Sequence, residues 1–309
     1  MNKSKRKIII LLVCMMFVLT GCTKTLKGND KKVVTYEKTG QSLTENILCK
    51  PTNQEVIKLY EENNVKVEKL VECKNFKVTS GGYEGLWTSI FVKPLAWLII
   101  KIGNLINSYG ASILIVSMLI RIVTIPITKK TAMQSENMKK AQPEIDRLEK
   151  KYKNKPQDNQ EIMMQKTQEQ LAIYKKYNIN PMSGCLFSML QIPVFFAFLE
   201  AVNRVPALFE GKFLGLHLGT TPMVALAKGQ YYYLILIALI IYTTYLSFKL
   251  NSTATSADTE KQMKFMSRFM IIFISIASFS LPTSIAIYWV TSSVFTILQN
   301  LWIKREVSK

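Results

Sequence analysis

Histidine is almost missing from this chain: among 309 residues only His217 is present. A membrane enzyme needs histidines, cysteines or carboxylates clustered at depth, and the apolar stretches hold no such cluster. His217 falls in a loop between apolar runs and reads as a surface or packing residue. No catalytic residue, no metal ligand and no cofactor is therefore expected. Repeated spans and paired broken helices are also missing, which weighs against a secondary transporter or anion channel. Acidic residues are scarce, 21 against 40 lysines and arginines, giving a formal charge of +19. Such an excess suits nucleic acid, an anionic membrane face, or the cytoplasmic loops of a membrane protein. The first two need a basic patch on a folded surface. The third needs basic residues sorted to one side of apolar spans.

Apolar residues are abundant, at 49% of the chain. The N-terminus opens with Lys3, Lys5, Arg6 and Lys7, followed by an apolar run, Ile8 to Val18, too short to be a good span. The sequence Leu19-Thr20-Gly21-Cys22 follows and resembles a bacterial lipoprotein signal. On this reading residues 1–21 are removed, and Cys22 carries the lipid that tethers the mature chain outside the cell. The alternative is an uncleaved signal anchor. Residues 22–83 then form an extracytoplasmic tethered segment, and 23–80 read as a lysine-rich solvated linker, with contact to anionic lipid or wall polymer as the alternative. Cys49 and Cys73 lie where disulfides persist, so a bridge between them is expected, with two free thiols as the alternative. Cys185 reads as a small packing residue.

Five apolar runs are long enough to cross a bilayer: Gly110–Thr128, Ser183–Val202, Tyr231–Phe248, Phe265–Ser280 and Thr283–Trp302. A sixth candidate, Leu86–Ile106, is interrupted by Lys93, Pro94 and Lys101. Residues 129–181 carry twelve lysines and arginines, whereas 204–230 carry three, so 129–181 is cytoplasmic. With the N-terminus outside, an odd number of crossings must precede it. The 84–108 region therefore reads as an amphipathic helix in the outer interface, with Trp87 and Trp97 at headgroup depth. The five-span core is 109–302, and 303–309 is a short cytoplasmic tail. Within 129–181, Met138, Ala141, Ile145, Leu148 and Tyr152 form a heptad seam, and Asn154–Asn159 breaks the helix. Met164, Leu171 and Tyr174 supply a weaker return seam. The pair predicts an antiparallel cytoplasmic hairpin; a charged, partly disordered loop is the alternative.

Arg121 stands in the middle of the first span. That placement costs from about 3 kcal/mol on insertion scales to 10 or more in simulations. On a helix, Ser117, Arg121, Thr124 and Thr128 share one stripe. The second span offers Ser188 and Gln191, and the fifth offers Ser284, Tyr288, Thr291, Ser292, Ser293, Thr296, Gln299 and Asn300. No acidic residue lies in the spans at the depth of Arg121, and Glu200 is near an outer end. The pattern points to a hydrated cavity. In the alternative, hydroxyls bond their own helix carbonyls and Arg121 snorkels.

Five stretches carry a family resemblance: LWTSIFVKPLAWLI, LIRIVTIPIT, AQPEIDRLEKKYK, YKKYNINPMSGCLFSMLQIPVFFAF and LPTSIAIYWVTSSVFTILQN. Together they resemble the YidC/Oxa/Alb family of membrane protein insertases, in its Gram-positive, five-span lipoprotein form with a short, SpoIIIJ-like tail. The resemblance implies an all-α integral membrane fold, with five transmembrane helices around a hydrophilic groove, a cytoplasmic helical hairpin and an outer amphipathic helix. It places Arg121 in a positively charged groove open to cytoplasm and lipid, lined also by Gln191 and Trp289. Ser117, Thr124, Tyr288 and Ser292 join them as candidate groove residues. The implied partners are nascent membrane proteins, the Sec translocon, the lipid bilayer, and, weakly, the ribosome and signal-recognition targeting factors, with no specific nucleic-acid sequence. The implied location is a bacterial plasma membrane, N-terminus outside and C-terminus cytoplasmic. Action alone or beside Sec stays open, as does an added scaffold role in sporulation.

Overall fold

The computed structural model describes residues 23–156, 159–180, 183–251 and 257–307. The signal segment 1–21 and the lipidation candidate Cys22 lie outside the described residues, as do the side chains of Cys185 and Ser188. The chain is mostly helical. Its elements are β1 Thr35–Tyr36, β2 Gln41–Ser42, α1 Gln54–Glu62, α2 Lys93–Ile106, α3 Tyr109–Tyr152, α4 Gln160–Lys176, α5 Ser183–Asn203, α6 Pro206–Glu210, β3 Lys212–Phe213, β4 Leu216–His217, α7 Pro222–Ala227, α8 Tyr233–Asn251, α9 Ala257–Ser278 and α10 Thr283–Val307. A π-helical turn, Thr88–Val92, leads into α2. Among the described residues, three helical stretches are long and apolar enough to cross a membrane by length and composition: Thr88–Ile106, Tyr109–Tyr152 and Tyr233–Leu250. Gln191–Asn203 is a shorter apolar helix. The remaining expected spans, 265–280 and 283–302, fall largely in α9 and α10.

Packing divides the chain into two units. The first comprises Met1–Leu119, Leu190–Ala238 and Ala277–Thr291. Within it, residues 23–83 are a folded subdomain, which corrects the expectation of a solvated linker. Leu26, Tyr36, Leu43, Ile47, Val56, Tyr60 and Val67 bury one cluster together with Phe209 of α6. The linker reading failed because these apolar residues are spread thinly among lysines, and their convergence depends on pairings remote in sequence. In α1, Val56 and Tyr60 are four residues apart and present one buried face. Asn53 caps that helix by accepting from the Glu55 amide. Glu210 strengthens the start, accepting from the amides of Thr52 and Asn53 at 3.1 and 3.0 Å. A disulfide joins Cys49 to Cys73.

The β3–β4 hairpin, also in the first unit, pairs Phe213 with Leu216 across a two-residue turn. Both turn residues have positive φ, Leu214 at 50° and Gly215 at 81°. That is the backbone of a type I′ turn, for which Asn-Gly is the favoured pair. A leucine in the left-handed region costs roughly 1–2 kcal/mol.

The second unit comprises Ile120–Met189, Leu239–Ile276 and Ser292–Lys309. Helix α3 does not stop where the apolar run ends at Thr128. It continues to Tyr152 with Pro126 and Pro143 inside it. Its 44 residues span about 66 Å at 1.5 Å per residue. Beyond Thr128, Ala141, Ile145, Leu148 and Tyr152 are buried. The return arm corrects one expectation: Met164 and Leu171 are exposed. Ile173, Tyr174, Tyr177 and Ile179 pack on Met138, Ala141 and Ile145 instead. Polar contacts set this rotation. Glu169 receives Lys151 at 2.6 Å and the Tyr152 hydroxyl at 2.9 Å, and Glu144 receives Lys176 and Tyr177 at 2.5 and 2.9 Å. These cross-links run in the order of two antiparallel arms.

Candidate functional site

The candidate groove residues divide between the two units. Ser117, Gln191, Tyr288 and Trp289 belong to the first; Arg121, Thr124 and Ser292 belong to the second. Along α3 the sequence spacing controls the local geometry. Ile113, Ser117 and Arg121 recur every four residues and are buried. Met118, Leu119, Ile122 and Val123 are exposed, with Val123 at 76%. An apolar face of this size suits lipid rather than water.

The hydroxyls of the α3 stripe donate to their own helix. Ser117 Oγ donates to the Ile113 carbonyl at 2.6 Å, Thr124 Oγ1 to Arg121 O at 2.9 Å, and Thr128 Oγ1 to Ile125 O at 3.0 Å. This spends their protons and leaves their oxygen lone pairs as acceptors. Thr128 uses that capacity, accepting from Gln299 Nε2 of α10 within the second unit. Lys129 sits 5.4 Å from the centre of the Trp302 ring in the same unit. Ser292 Oγ is buried and has no hydrogen-bond partner among the described residues. A buried hydroxyl in that state calls for water or a polar visitor.

In the first unit, Gln191 Nε2 donates to the Tyr288 hydroxyl at 3.2 Å. Tyr288 also stacks on Phe198 at 4.2 Å, and Trp289 meets Phe195 edge-on at 5.6 Å. Packing thus orients these aromatic side chains on two sides, with a polar group at one end.

A second polar assembly was not legible in the sequence. Lys93 and Arg204 are fully buried. Lys93 Nζ pairs with Glu84 at 2.9 Å and donates to the carbonyls of Ser80 and Gly82. Arg204 pairs with Glu84 and, at 3.0 Å, with Glu200. Its Nε donates to the Asn46 carbonyl at 2.6 Å, and Trp87 Nε1 donates to Glu200 at 2.9 Å. Burial works to raise the Glu84 carboxyl, but hydrogen bonds from Lys93 and Arg204, with their charges, outweigh it and hold it below its ordinary value. Lys93 therefore does not interrupt this region as its charge suggested, because its charge is neutralised inside the fold. The one signal in the sequence is the four-residue spacing of Glu200 and Arg204. His217 is held below the ordinary imidazole value by burial and then by Lys212.

Residues 101–309 match the family model described as 60Kd inner membrane protein. The membrane protein insertase YidC of Oceanobacillus iheyensis is 33% identical over 231 residues, covering 72% of this chain and 86% of that protein. The membrane protein insertase MisCA of Bacillus subtilis is 33% identical over 219 residues, covering 71% and 79%. A solved structure of an active YidC insertase, with its first transmembrane domain resolved, has a TM-score of 0.52 at 21% identity. That match covers 79% of this chain and 51% of the solved one, so this chain spans about half its length. At this identity the likeness concerns the fold.

Proposed function

This chain belongs to the 60Kd inner membrane protein family, that of the YidC insertases, which is not a family of enzymes, and from that premise we propose that it integrates nascent membrane proteins into a bacterial plasma membrane through a wet, positively charged groove. The observation that carries this reading is the α3 stripe. A buried Arg121 lies one turn from Ser117 and Thr124, on a helix whose opposite face is apolar and exposed. Arg121 attracts acidic residues of an incoming tail, since attraction between charges grows as the dielectric constant falls. Acceptor oxygens on Ser117 and Thr124, and the buried Ser292 hydroxyl, suit water. Water at depth shortens the dry path for polar backbone, each group of which costs several kcal/mol in hydrocarbon. The apolar part of the substrate then partitions sideways into lipid, which supplies the driving force. No bond is made or broken.

The topology that fits is five spans, 110–128, 183–202, 231–248, 265–280 and 283–302, with the N-terminus outside and lipidated at Cys22. Residues 84–108 lie in the outer interface, supported by the exposed Trp97, Lys101 and Leu105, whereas Trp87, also expected at headgroup depth, is buried with its indole N–H on Glu200. The paired arms of α3 and α4 face the cytoplasm and receive substrates and targeting factors; Sec and ribosome contacts belong to the same reading. The test is insertion of a small single-span substrate with an acidic tail into liposomes holding only this protein. Protease-protected substrate above that in empty liposomes is expected. Equal protection in both would reject autonomous insertion.

A further inference from the structure

The tip of the β3–β4 hairpin combines two features that each disfavour a leucine. Leu214 is 84% exposed and occupies the left-handed backbone region. An Asn at this place would suit both water and the I′ turn. Neighbouring contacts fix the depth of the hairpin. Phe213 fills the notch left by Gly110 in the first turn of α3, where a Cβ would collide with its ring. The His217 amide donates to the Tyr233 hydroxyl, at the start of α8, at 2.9 Å. The hairpin is therefore tied to the first turns of two helices apolar enough to cross a membrane. Leu105 and Ile106, just before α3, are exposed at 81% and 39%. Tyr231 and Tyr232, just before α8, are exposed too, and such rings favour headgroup depth.

From this geometry we infer that Leu214 is a lipid anchor: the hairpin tip inserts into the acyl region of the outer leaflet, pinning the 204–230 loop to the membrane surface. The inference rests on the proposed topology, with residues 204–230 outside, and not on the insertion activity. The occupant is lipid rather than a partner protein. Phe213, next to the tip, packs at Gly110, only a few residues along the chain from the exposed Leu105 and Ile106, and the tip shares their need for cover.

The test uses the full chain in proteoliposomes. Cys14, Cys22 and Cys185 are replaced by alanine, and Leu214→Cys carries an environment-sensitive dye. Blue-shifted emission is expected, quenched by nitroxides on shallow acyl positions and little affected by aqueous iodide. The same dye at Lys58→Cys, exposed on α1 in the 23–83 subdomain, should respond to iodide alone. Iodide quenching at 214, or protection there from both quenchers, would overturn the proposal; the latter outcome would mean protein cover. Leu214→Asn gives a second reading free of the dye. Its turn suits the backbone better, so a purely structural role predicts slower or equal hydrogen exchange over 212–217. Loss of the anchor predicts faster exchange in the bilayer despite the better turn.

Discussion

Arg204 donates to Glu200 at 3.0 Å across one turn of chain, and both side chains are buried. Through the Asn46 carbonyl, the same guanidinium reaches the 23–83 subdomain, and it also pairs with Glu84 just beyond it. Removing one member of such a network leaves the others charged and buried. Arg204→Ala is expected to cost about 3–5 kcal/mol in the first unit. Arg204→Lys should recover only part of this, because an ammonium cannot span three acceptors in a fixed plane. Protease resistance of residues 23–83 and thermal unfolding measure both. A subdomain as resistant in Arg204→Ala as in the parent would rule out the network as its fastening.

Acid should loosen the same place. The Glu84 carboxyl is held below its ordinary value in the folded chain. Its stabilisation is therefore fully present above the unfolded value of about 4.3, and is lost as pH falls through the lower folded value. Glu84→Gln should be less stable than the parent at neutral pH and show a shallower loss on acidification. Identical acid profiles for the two would exclude Glu84 as the titrating group.

At the groove, positive charge is expected to matter more than guanidinium shape. Arg121→Lys should keep insertion of acidic-tailed substrates. Arg121→Ala should slow it about tenfold if about 1.4 kcal/mol of attraction is lost. Neutral-tailed substrates should be less sensitive. Parental rates from Arg121→Ala with acidic tails would sink the charged-groove reading.

The disulfide closes a loop of 24 residues in sequence separation. Loop entropy assigns such a bridge roughly 3 kcal/mol. The Cys49→Ser, Cys73→Ser double variant should loosen residues 23–83 while leaving the helical content near 233–250 unchanged. Circular dichroism together with limited proteolysis separates the two effects.

Residues 304–309 carry three cations, Lys304, Arg305 and Lys309, whereas the 129–181 segment carries twelve. Each phosphate contact adds about one unit to the salt slope of binding. Ile303 is buried, so the truncation should begin at residue 304. Co-sedimentation with ribosomes is expected to change little on removal of 304–309, and to fall when Lys150, Lys151 and Lys153 are neutralised together. A large drop from the truncation alone would reverse that ranking.

What the sequence determined by itself is local and periodic. The four-residue recurrence of Ser117 and Arg121 placed them on one face, because a helix returns to the same side every 3.6 residues. The spacing of Ala141, Ile145 and Leu148 marked one buried stripe by the same rule. The five quoted stretches carried the family. What the tertiary structure decided depends on pairings remote in sequence. Lys93 read as an interruption of its apolar run until Glu84 was brought to it, and Arg204 drew no reading of its own until Glu84 and Glu200 met it. The subdomain 23–83 read as a linker because its core is completed by Phe209, far along the chain. Met164 and Leu171 lost the inner face of α4, since the pairing of Glu169 with Lys151 and Tyr152 turns that helix elsewhere. Leu214 carries no distinguishing mark in the sequence. Only the two-residue hairpin forces it to positive φ at an exposed tip, because backbone angles in a turn are set by the strands it joins.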